Sequence, residues 1–84
     1  MDGIEFRPRW KEELEAISPE GKLVFEFTVG EMHVYFPDEA RWQAIAPAWA
    51  RGKWAVYEQA CRTWCGQNRI PISLVSDAHF QEEA

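Results

Sequence analysis

Two cysteines, Cys61 and Cys65, and two histidines, His33 and His79, are the side chains of this 84-residue chain with the most reactive chemistry. A four-residue step on a helix puts both thiols on one face, so with the two imidazoles they supply the donor set of a zinc site. Structural zinc sites, however, seat a cysteine pair on a turn and draw the other ligands from a second local pair. Here the histidines are isolated and distant from each other. A nucleophilic thiol needs a cationic neighbour to lower its pKa. Arg62, the next residue after Cys61, points about 100° away around a helix. Both cysteines share a helical stripe with Trp54, Tyr57 and Trp64, so they are expected to be buried, reduced structural thiols, with no cofactor. A small oligomeric enzyme, or a metal- or thiol-dependent protein using Cys61, Cys65, His33 or His79, is the alternative reading. No partner at a diagnostic spacing supports it.

A second candidate is Phe6-Arg7-Pro8-Arg9-Trp10-Lys11, where cations alternate with aromatics as at a single-stranded nucleic-acid site. Glu12, Glu13 and Glu15 follow at once and cancel the local field. The whole chain carries a formal charge of −5, from nine basic and fourteen acidic residues, which argues against binding along duplex nucleic acid. An acidic, aromatic surface that meets a basic protein is the better expectation. Its proposed residues are Glu26, His33 and Tyr35 on the outer side of a hairpin, with Trp49 as a separate anchor in an irregular joint. The function expected is that of a small binding protein that regulates, inhibits or accompanies a larger macromolecule.

The elements that must carry these residues follow from hydrophobic spacing. Trp10, Leu14 and Ile17 recur at helical intervals after Pro8, which predicts a short helix between Ile4 and Ile17 ended by Ser18-Pro19-Glu20-Gly21. Lys22 to Val29 and Met32 to Phe36 are β-rich runs separated by Gly30-Glu31, the pattern of a hairpin with a type II′ turn. That turn pairs Val29 with Met32, Phe27 with Val34 and Phe25 with Phe36, and sends Glu26, Thr28, His33 and Tyr35 to the outer face. Asp38 is a helix cap, Pro47 interrupts the helix it opens, and a longer helix is expected from Lys53 to Gln67, with Gly66 or Asn68 supplying the left-handed end. The run from Ile70 to Val75 contains Pro71 and so reads as an edge strand.

These elements predict one domain over residues 1–84, of class α+β. A three-stranded antiparallel sheet in the order 2-1-3 has helices on one face, and residues 77–84 fray. An exposed strand edge in such a sheet makes a homo-oligomer feasible. No apolar run reaches the roughly 18 residues that span a bilayer. Met1-Asp2-Gly3-Ile4-Glu5 lacks a secretory start, and two cysteines do not make an extracellular disulfide framework, so a cytoplasmic protein without membrane contact is expected.

Overall fold

The computed structural model describes residues 3–9, 12–28 and 30–83. In chain order its elements are β1 (Glu5–Arg9), β2 (Glu13–Ser18), β3 (Gly21–Thr28), β4 (His33–Pro37), α1 (Glu39–Ile45), α2 (Trp54–Asn68), β5 (Ile72–Val75) and β6 (Phe80–Glu83), with a 3-10 turn at Arg51–Lys53. The expected three-stranded antiparallel sheet is overturned. All six strands join one mixed sheet ordered β1-β2-β3-β4-β5, with β6 paired to β3.

The first correction lies between Ile4 and Ile17, where two antiparallel strands replace the expected helix. The spacing of Trp10, Leu14 and Ile17 suits a helix, but Glu13 to Ala16 also alternates polar with apolar. The sheet satisfies that alternation by burying Leu14 and Ala16 completely. The chain reverses at Glu12, which takes a left-handed φ of 61° and gives its carbonyl to the Phe27 amide. Trp10, Lys11 and Val29 lie outside the described residues.

The β3–β4 hairpin has the register that its matching apolar faces require, with Phe27 opposite Val34 and the Phe25 and Phe36 rings stacked at 4.9 Å. Its connection differs from the expected two-residue turn. Among the described residues the pairing runs as far as Thr28 opposite His33, and the expected Val29–Met32 pair lies outside them; the Thr28 hydroxyl donates to the Glu31 carbonyl, and the one positive-φ glycine among the described residues is Gly3, not Gly30. Met32, expected on the inner face, is therefore a turn residue, 51% exposed.

Asp38 caps α1 by accepting the Arg41 amide, and the helix ends one residue before Ala46, ahead of Pro47. In α2, Tyr57, Cys61 and Cys65 are buried at four-residue steps. Its left-handed end falls on Arg69, φ 57°, in place of Gly66 or Asn68. The strand after α2 is at an edge, but it pairs β4 in parallel where an antiparallel partnership with β3 was expected. Within the tail expected to fray, Phe80–Glu83 forms a strand: Phe80 pairs with Phe25 and Glu83 with Lys22, so β6 occupies the stretch of β3 that β4 leaves free.

Both helices cover one side of the sheet. Phe25 and Phe80 from the strands stack with Trp42 from α1, which in turn meets Tyr57 of α2 at 5.4 Å. The Trp42 indole donates to the Ala50 carbonyl at 2.8 Å, so its polar atom is satisfied inside the core. Among the described residues no helix is long and apolar enough to cross a membrane.

Candidate functional site

Strand alternation divides β3 into Leu23, Phe25 and Phe27, which meet the helices, and Val24, Glu26 and Thr28, which face the other way. The register then adds Tyr35 opposite Glu26, and His33 opposite Thr28. Three of the four residues expected to bind, Glu26, His33 and Tyr35, thus lie together on the side of the sheet that neither helix covers.

The His33 and Tyr35 rings stack with centroids 4.5 Å apart and planes inclined by 22°. His33 Nε2 also shares a 2.8 Å hydrogen bond with the Ser73 hydroxyl on β5, so the imidazole is held from two sides. Ser73 was not singled out from the sequence. Its alternation with Ile72 and Leu74 is the signal that places it on the outer face, but its neighbour β4 follows only from the parallel pairing. A cleft of about 350 Å³ beside the rings is lined by Thr28, Glu31, Met32, His33, Tyr35 and Pro71. It combines an aromatic wall with an acidic residue and an exposed methionine.

Glu26 projects to the opposite flank, where its carboxylate accepts the His79 amide at 2.8 Å. It contributes with Glu12, Glu13 and His79 to a second cleft of about 200 Å³. Farther along the same face the character changes to ion pairs. Arg9 reaches Glu13 at 2.7 Å, Glu83 at 2.9 Å and Glu15 at 3.3 Å, and Lys22 reaches Glu15 at 3.0 Å. Hydrogen bonds from Arg9 hold the Glu83 carboxyl below the usual carboxylate range, against its own desolvation.

Trp49 is elsewhere. Its indole donates to Glu82 at 2.8 Å, and its ring lies against Gly21 so closely that a Cβ there would sit 2.6 Å from it. Gly21 and Glu82 belong to the helix-covered side, as the pairing of Glu82 with Leu23 shows. Trp49 is half-buried and does not join Glu26, His33 and Tyr35.

The cysteines and histidines of the alternative reading are not brought together either. Cys61 and Cys65 are free and buried beneath α2, on the far side of the sheet from His33. Among the described residues no group of three or more His, Cys, Asp or Glu side chains is placed to hold a metal ion. The two buried thiols titrate as a pair: their mutual hydrogen bond and burial push Cys61 far above the ordinary thiol range, and the same hydrogen bond lowers Cys65.

Comparison of the chain with known protein families, with curated proteins and with solved structures finds no match.

Proposed function

We propose that the protein is a small acidic binding protein of the cytoplasm that regulates, inhibits or accompanies a larger protein, docking through the helix-free face of its sheet. One observation carries this reading: the His33–Tyr35 stack is fixed in advance by Ser73 and stands beside Glu26 on a face open to solvent. A ring pair already held in place loses little conformational freedom on binding, and aromatic anchors of this kind dominate interface energetics. Glu31 in the cleft beside it and Glu26 on the adjacent strand, with the net charge of −5, favour a partner with a basic surface. Trp49 lies outside the docking face in this reading, because its ring and indole nitrogen are engaged with Gly21 and Glu82. Cys61 and Cys65 serve as reduced core thiols.

The test is affinity capture with the wild-type chain, followed by binding measurements on any retained protein with Glu26→Ala, His33→Ala and Tyr35→Ala. Tyr35→Ala is expected to cost about 2 kcal/mol of binding with the fold intact. Added salt should slow association more than it speeds dissociation, since charges farther apart than about 8 Å are screened at physiological ionic strength. Unchanged affinity in all three variants overturns the assignment of the surface.

A further inference from the structure

We propose that two copies of this chain associate by antiparallel pairing of their β1 edges about a two-fold axis through Phe6. Among the described residues β1 pairs on one side only, with β2. An edge strand offers its free main-chain groups to another strand unless something blocks it. Pro8 has no amide to give the β2 ladder, so the residues that best serve that ladder are Glu5, Arg7 and Arg9. Ile4 and Phe6 then turn both amide and carbonyl to the open edge, and Pro8 its carbonyl alone.

The sequence of this edge is complementary to its own reverse. With Phe6 opposite Phe6 of the second copy, Glu5 faces Arg7, Arg7 faces Glu5, and Ile4 faces Pro8. Each Phe6 amide and carbonyl exchanges with its counterpart, and each Ile4 amide donates to a Pro8 carbonyl; Pro8 has no amide to return, so one bond is lost at each end and four main-chain bonds remain. The outer face acquires four alternating charges and the inner face a continuous apolar row. In the single chain Glu5 and Arg7 touch each other at 2.7 Å but remain 58% and 61% exposed, free to reorganise.

The inner side of the same edge is prepared for contact. A groove of about 610 Å³ runs between Gly3–Phe6 and α2, where Gln59, Ala60, Thr63, Trp64 and Gln67 supply no charge. Val56, one turn earlier on α2, is 40% exposed. In a chain with 27% charged residues, an uncharged helix flank beside an open strand has the composition of an interface core. Pairing of the β1 edges brings the two α2 flanks together across the axis. The other open strands lack such complementarity: β6 ends in Glu82 and Glu83, which would repel their copies, and β5 has no charge to fix a register.

Sedimentation of the unaltered chain from micromolar to millimolar concentration tests the association, and a charge exchange tests the register. Glu5→Arg sets two guanidinium groups opposite each other and Arg7→Glu two carboxylates, so each is expected to weaken the dimer at least about tenfold. An equimolar mixture of the two variants, and the double variant E5R/R7E, should both regain dimers near wild-type strength. Slower amide exchange at Ile4 and Phe6 as concentration rises is the second measurement, made on the unaltered chain. A wild-type chain that stays monomeric throughout, or a dimer indifferent to both single substitutions, overturns the proposal. So does a failure of both the mixture and the double variant to restore association.

Discussion

The two faces of the sheet are made from the same strands and solve different problems. On the helix side, Phe25 stacks on Phe36 at 4.9 Å and on Phe80 at 5.5 Å, and Trp42 lies 5.0 Å from Phe80. On the open side, Arg9 and Lys22 are shared among Glu13, Glu15 and Glu83, and His33 stacks on Tyr35. Burial of apolar area is non-directional and provides most of the stability, at about 25 cal/mol per Å². Ion pairs in water contribute little each, but they discriminate between neighbours. The helix side therefore holds the chain folded, while the open side biases which strand ends meet and is the face on which docking is proposed.

The largest test of that division is Trp42→Ala. Trp42 is fully buried and meets rings from four elements, β3, β4, β6 and α2, so its loss should cost about 3–5 kcal/mol in denaturant unfolding. That is much of the roughly 5–15 kcal/mol a domain has. A loss under about 1 kcal/mol would show that the aromatic cluster is not the main source of stability. Next in size is Gly21→Ala, which must displace the Trp49 ring and should cost about 1–3 kcal/mol. Combined with Trp49→Ala the added penalty should vanish, so a double-mutant cycle separates this contact from any effect on the strand itself.

Those two positions also show what was legible in the sequence. The α2 stripe and the β3–β4 register are local periodic signals, and the burial of Tyr57 and Cys61 and the pairing of Phe27 with Val34 follow from them. The outer trio Glu26, His33 and Tyr35 was visible for the same reason, since alternation alone assigns a face. Residues 4–17 misled because Leu14 fits both a three-residue and a two-residue period, and only the rings above the sheet decide between them. β6 was missed because Phe80-Gln81-Glu82-Glu83 has one large apolar residue, and its strand character comes from the free half of β3. Contacts across the whole chain leave no local trace: Arg9 and Glu83 are 74 residues apart, and so is their joint role in closing the outer face.

The smallest expected effect falls on that pair. Arg9 keeps the Glu83 carboxyl below the ordinary carboxylate value of 4.5, so the folded state holds its proton less tightly than the unfolded chain. Stability from this source is present above the unfolded pKa and is lost as pH falls through the depressed folded one. The loss belongs below about pH 4.5, and because both groups meet water it should be modest and weaken further with salt. Amide exchange along β6 should accelerate in that window more than along β4, whose pairs with β3 do not include Glu83. Arg9→Gln removes the cause while leaving the aromatic cluster intact, so the acid sensitivity of β6 should flatten. An identical acid limb in wild type and Arg9→Gln would mean that the β6 strand is held by Phe80 on the helix side alone. The open face would then have no part in ordering the strands.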